Sequence, residues 1–259
     1  MQVVATNHAT DHPNLVHNDG YAQTVGFRRG LVPGVDVYGY LTRPLVQRLG
    51  RPWLEAGKAD VRFVKPVYDG DRLDIDIAGD LNDHFVFTAR CDGEERSVMT
   101  ARLGSPTELR PEVVPRTPIA ETRLKASRES FKEGMTLGSL DLDVVESDCR
   151  NRLAEVGETL ELYIHDRLVH PAHLLQFADN ILAANVELPP WLHVGSVVHN
   201  FGVVHWNESI SVRARVVTTF VRRGHEFIQL DVQIVGSDGR TRLRVSPYTA
   251  IYKPGFVNC

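Results

Sequence analysis

The strongest constraint on this chain is that its pattern occurs twice. After a Pro33-Gly34 turn, Val35, Tyr38, Leu41, Leu45, Val46 and Leu49 fall at helical spacing, which predicts a helix over 34–49. His170-Pro171 opens a second helix over 168–186, with Leu174, Leu175, Ala178, Ile181 and Leu182 on its apolar stripe. Gly34 and Pro171 stand 137 positions apart, and so do Leu73 and Ile210, which open the second strand of each set that follows. A repeat of this kind dominates every other signal, because each unit is a supersecondary block that recurs. Two antiparallel sheets of this size pair edge to edge, which removes open edges and covers both helices. The predicted class is α+β, with two central helices each wrapped by an antiparallel sheet.

The strand signals fit that class. QVVAT at 2–6 reads as a short strand, and residues 7–34 read as a polar loop with one helical turn near Gly20–Val25. Pro44 threatens a kink in the first helix, and Gly50, Pro52 and Gly57 break the pattern after it. Strands are predicted over Lys58–Val67, Arg72–Ala78, His84–Cys91 and Glu95–Leu103, joined by Asp69-Gly70 and Asp92-Gly93 turns. Residues 104–130 carry four prolines and little periodicity, as a connector does. The second set comprises Thr159–Leu168 before the helix, then Val197–Val204, Ser209–Thr218, Glu226–Val235 and Arg240–Tyr252. The organisation expected is a repeat over 1–103, a connector over 104–130 and a repeat over 131–259.

Charge and composition narrow the function classes. A formal net charge of −4 leaves no basic footprint for nucleic acid and no polybasic membrane patch. No apolar run is long enough to span a bilayer, and residues 1–20 lack a signal-peptide core, so a cytoplasmic location is the default expectation. Cys91, Cys149 and Cys259 are odd in number and scattered, which suggests neither a disulfide framework nor a zinc site.

The stretch DHPNLVHNDGYAQTVGFRRGLVPGV, followed by ADVRFVKPVYDGDRL, resembles the MaoC-like acyl dehydratase and R-specific enoyl-CoA hydratase family. That family carries Asp-x-Asn-Pro-x-His-x-Asp, a Gly-Phe segment, His-Gly at a helix start, and F-x-x-P-V-x-x-G-D on a strand. Asn14, His17, Asp19, Ala22, Gly26, Phe27, Gly34, Phe63, Pro66, Val67, Gly70 and Asp71 match it here. The resemblance implies a double hot-dog fold acting on an acyl-CoA or acyl-carrier-protein thioester, with no metal or redox cofactor. It also implies possible association into a homo-oligomer. Two departures stand out. The family Asp lies five positions before the His, where this chain has His12, while Asp11 is six before. Pro33 replaces the helix-start His.

Hydration or dehydration beside a thioester needs a proton acceptor, a proton donor and hydrogen-bond donors for the enolate oxygen. By the resemblance His17 is the base or acid, with Asn14 and Asp11 in support. The backbone N–H of Gly34 or Val35, at the positive end of the helix, is the oxyanion donor. The second repeat lacks both parts: Pro171 has no N–H, and Ala154 stands where His17 does. One site is therefore expected. Val35, Asp36 and Tyr38 on the first helix, with His173 and Gln176 on the second, are the expected substrate contacts. His170 and His173 make no convincing metal pair. Arg28 is the expected contact for the phosphates of the carrier. Three other readings remain open: a thioesterase using Asp36 or Asp19, a non-catalytic binding module, and a recruited biosynthetic enzyme with another ligand.

Overall fold

The computed structural model describes residues 1–79, 84–105 and 108–253; the predicted repeat's last residues, 254–259 with Cys259, lie outside them. The chain opens with β1 (Gln2–Val4), a 3-10 turn at Leu15–His17 and α1 (Asp19–Thr24). There follow α2 (Gly34–Leu49), α3 (Arg51–Ala56), β2 (Gly57–Phe63), β3 (Arg72–Ala78), β4 (Phe85–Cys91) and β5 (Glu94–Leu103). Then come β6 (Leu124–Lys125), β7 (Leu140–Asp143), α4 (Glu146–Glu155), α5 (Leu162–His165), α6 (Pro171–Asn185) and β8 (Val186–Glu187). The chain closes with β9 (Leu192–Asn200), β10 (Ser209–Arg222), β11 (His225–Gly236) and β12 (Thr241–Lys253).

Ten strands form one sheet in the order β1-β3-β4-β5-β2-β9-β12-β11-β10-β7. Its two halves join where β2 pairs antiparallel with β9, from Lys58↔His199 to Arg62↔Gly195. The sheet wraps α2 and α6, which cross at Gly39. A Cβ there would lie 3.1 Å from Ala172 Cβ and 3.2 Å from His170 Cε1, so glycine lets the two helices approach. Tyr38, Leu41, Leu45, Ile181 and Leu182 are all buried in the core between sheet and helices. The fold is the double hot-dog, and the 137-residue offset holds in it: α2 and α6 start 137 positions apart, as do β3 and β10.

Some local predictions failed for identifiable reasons. Thr159–Leu168 is a turn and the short α5, not a strand. Glu158 Oε1 accepts the N–H groups of Thr159 (2.7 Å) and Leu160 (2.8 Å), and the buried residues are Tyr163 and Leu168, not alternate ones. Pro52 starts α3 rather than breaking structure, since a first-turn proline loses no helical bond. Pro44 sits within α2 without ending it. The polar α4 gave no apolar stripe to read; only Cys149, Arg152 and Leu153 are buried on it. β2 stops at Phe63, short of Val67, and β9 runs over Leu192–Asn200 rather than Val197–Val204. The connector is strapped down. Val114 N–H donates to Gln233 Oε1 (3.1 Å), Gln233 Nε2 donates to the Glu112 carbonyl (3.0 Å), and Val114 is buried. β11 is buried at every residue from Leu230 to Gly236: one face meets the core, and on the other Gln233 meets the connector while Arg215 and Arg244 cover Asp231.

Leu41 sits fully buried in the middle of α2, whereas Ile164 is 51% exposed. Leu41→Ala is expected to cost about 2–5 kcal/mol of unfolding free energy. Ile164→Ala should stay within about 0.5 kcal/mol of the parent. Urea melts followed by circular dichroism compare the two.

Candidate active site

The loop before α2 is built to a fixed shape. Gly30 passes against His17, where a Cβ would lie 2.1 Å from the His17 carbonyl oxygen. Asp19 Oδ1 accepts the Gly30 N–H at 2.7 Å, and Asn7 Nδ2 donates to the His17 carbonyl at 2.9 Å. Asp19 is thus a loop brace, as Asx residues often are. At the far side, Asp71 accepts the Tyr68 N–H (2.9 Å) beside Gly70 at φ 79°, which makes the Gly-Asp of the motif a turn device.

This loop, the start of α2, one face of α6 and the start of β9 enclose a cavity of about 490 Å³. His17 lines it. Its Nδ1 lies 2.7 Å from the Leu31 carbonyl oxygen. A carbonyl only accepts, so Nδ1 carries the proton and Nε2 keeps its lone pair. Burial holds His17 below the usual histidine range, against the opposing pull of the Leu31 carbonyl, and His12 adds to the lowering. His17 is therefore neutral at pH 7, with one basic nitrogen.

The N-terminus of α2 lies in the same cavity through Pro33, Gly34, Val35 and Asp36. Pro33 is the N-cap residue and offers no side-chain bond. Among the described residues no acceptor takes the N–H of Gly34 or Val35. The corresponding end of α6 is closed: His170 Nδ1 accepts the Ala172 N–H at 3.2 Å, and Pro171 has none to give. Only the first helix presents an open, positive N-terminus to the cavity.

Several expected residues stand elsewhere or do other work. Asn14 lines the cavity, but its amide is engaged at both ends: Nδ2 donates to the Trp191 carbonyl (2.9 Å) and Oδ1 accepts the Trp191 N–H (3.2 Å). It ties the site loop to the second half, and one hydrogen on Nδ2 and one lone pair on Oδ1 are committed to that tie. Asp11 lines the cavity, and among the described contacts none joins it to His17. His12 holds the intermediate place instead, with its ring edge-on to His17 at 5.7 Å and its Nδ1 accepting the Asn14 N–H. Tyr38 is core and not cavity wall. His173 is also off the wall: it packs on Phe177 at 4.9 Å, and burial, then Arg152, lowers it to about 4. Arg28 pairs with Asp71 at 2.8 Å and lies over the Tyr68 ring at 4.5 Å, and it is not part of the cavity wall. Lys65 and Arg96 are the basic residues on the wall near Pro66.

Asp36 and Gln176 do line the cavity. Asp36 is buried and paired with Arg152 of α4, whose other nitrogen donates to Glu155 Oε2 at 3.0 Å. Burial pushes Asp36 up to about 6, with Arg152 opposing. Sequence reasoning missed Asp179, which comes from α6 and faces the same cavity as His17. Its charge is close enough to favour protonation of both His17 and His12. Asp179 Oδ1 accepts the Tyr248 hydroxyl at 2.8 Å and lies 3.3 Å from His193 Nδ1. The signal was present: Gln176 and Asp179 are three apart on one helix, hence on one face.

No protein-family model matches the chain, and no curated protein matches it in sequence. Solved structures do. A protein assigned as a MaoC domain dehydratase from Chloroflexus aurantiacus superposes with a TM-score of 0.68 at 12% identity, covering 98% of this chain and 94% of that one. A conserved hypothetical protein of Mycobacterium tuberculosis with a double hot-dog fold gives 0.64 at 13% identity, over 97% and 93%. An oleoyl thioesterase assignment from Lactobacillus plantarum gives 0.52 at 14%, over 98% and 96%. The fold is that of MaoC-like dehydratases and double hot-dog proteins. Dehydratases and thioesterases both share it.

Arg152→Met strands Asp36 in the cavity wall and is expected to cost about 3–5 kcal/mol at pH 8. The cost should shrink toward pH 5, because Asp36, already raised to about 6, then takes up a proton and carries no charge to compensate. Denaturant midpoints at the two pH values check the sign.

Proposed function

We propose that the protein hydrates enoyl thioesters, or dehydrates the matching 3-hydroxyacyl thioesters, at a single site built from both halves. One observation carries the reading: a neutral histidine with its basic nitrogen fixed shares a cavity with an open helix N-terminus. In the hydration direction, a water lies between His17 Nε2 and the Asp179 carboxylate. His17 takes a proton from it as the oxygen bonds to the β-carbon. The electron pair moves to the thioester oxygen, where the N–H groups of Gly34 and Val35 stabilise the enolate. The imidazolium then returns the proton to the α-carbon. Dehydration is the same path reversed. Asn14 ties the loop to Trp191 in this scheme, Asp11 lies on the wall beside it, and Gln176 faces the bound acyl group.

The thioesterase reading has less support from the geometry. Both carboxylates it named are engaged, Asp19 with Gly30 and Asp36 with Arg152. The two activities separate in one experiment with crotonyl-CoA and longer acyl-CoAs, reading enoyl absorbance and free thiol independently. Loss of enoyl absorbance without thiol is expected; thiol release without hydration would overturn the reading.

His17→Ala should lower kcat/KM by roughly 10²–10⁴-fold, the usual worth of a positioned base. The reaction requires neutral His17, and burial holds its pKa below the ordinary 6.5. kcat/KM should therefore rise with pH through an apparent pKa below 6.5 and stay level to about pH 8. A midpoint above 7 in the measured profile counts against His17 as the base.

A further inference from the structure

The two halves of the site must be held at one separation, and the core at the β2–β9 junction contains a spacer that does this. Gly34, the first helical residue of α2, rests on Phe63: a Cβ on it would meet the Phe63 ring at 3.0 Å. Phe63 ends β2, and its ring packs edge-on against His193 of β9 at 5.1 Å and 76°. His193 in turn lies against the Tyr248 ring of β12 at 4.6 Å. The Tyr248 hydroxyl donates to Asp179. His193 is held on its other edge as well, with Nε2 2.8 Å from Ser196 Oγ.

We infer that Phe63, His193 and Tyr248 form a rigid aromatic bridge that positions Asp179 against the oxyanion donor at Gly34. The inference rests on the hydratase reading for its kinetic consequence, but the positioning itself is a statement about structure. Tyr248 is fully buried, and burial together with the neighbouring carboxylate keeps its hydroxyl protonated far beyond the range of activity. It is a permanent donor to Asp179 Oδ1, which leaves Oδ2 for the substrate or water. His193 Nδ1, at 3.3 Å but out of line for a hydrogen bond, blocks Asp179 from turning toward β9. Tyr248 is a positioning residue: it acts through Asp179 and is not part of the cavity wall, whereas His193 both braces Asp179 and lines the cavity.

Tyr248→Phe removes the donor and keeps the ring. A positioning role predicts a fall in kcat of about tenfold with crotonyl-CoA and a KM within about twofold, since misplacing a reacting group costs rate rather than affinity. In an Asp179→Asn background the same change should have no further effect. A crystal structure of Tyr248→Phe should show the Asp179 carboxylate turned from its place in the parent. An unmoved Asp179 overturns the inference. So does an unchanged kcat, or a loss that multiplies independently of Asp179→Asn. If the parent protein turns over no enoyl thioester, the hydratase reading fails, and the position of Asp179 in the crystal decides the bridge alone.

Discussion

Everything at the site depends on the pairing of β2 with β9. Each half has a helix and a meander, but neither encloses the cavity by itself. The five-residue ladder from Lys58↔His199 to Arg62↔Gly195 turns two sheets into one. It also sets the end of β2 beside the start of β9. Phe63 and Leu192 therefore become walls of the same space. Trp191, immediately before β9, comes within reach of Asn14 on the loop of the first half. The two hydrogen bonds between them are then a consequence of sheet register and not a free choice of the loop. A slip of one residue in that ladder would reverse which side chains face the helices, which is why register here is strongly specified.

The repeat is geometrically regular and chemically unequal. Both central helices begin at the same offset, yet their N-termini are treated in opposite ways. At α6 a proline and a histidine side chain close the end; the histidine, buried and lowered by that burial, faces Glu158 at 3.4 Å. At α2 the cap residue is Pro33, which has no polar side chain, and the first N–H groups stay open. An open helix N-terminus facing a cavity is a ready place for an anion or a developing negative charge. Asp36 does not fill this role, because its carboxylate is turned to Arg152.

The fold was readable because its evidence is periodic. Helical spacing, Asp-Gly turns and a constant offset each survive low sequence similarity, and the bounds of α2 and β3 follow from them directly. What could not be read was anything set by a contact between distant segments. Glu158 mimics a turn and cancels the apparent alternation at Leu160, Leu162 and Ile164. Asn14 looks unengaged until the position of Trp191 is known. Arg28 looks like a free cation until Asp71 and Tyr68 are found beside it. Asp179 was overlooked for the converse reason: only the joined sheet brings the loop of the other half near it.

The division of labour between the halves follows from which carboxylates remain uncommitted. On the cavity wall Asp36 balances Arg152, and Asp11 and Asp179 remain; behind the wall Asp19 braces Gly30, and Asp71 holds the Tyr68 turn and Arg28. Asp179 is different: Tyr248 and His193 both meet it at Oδ1, and its second oxygen has no partner among the described residues. Under the hydratase reading, His17 and Asp179 form a pair drawn from the two halves. The histidine comes from the loop of the first half and the carboxylate from the central helix of the second. Two identical copies would have carried both groups twice and capped neither helix. Joined in one chain, the copies need not match: Ala154 stands where His17 does, while Asp11 of the first loop and Asp179 of the second central helix both reach the one cavity.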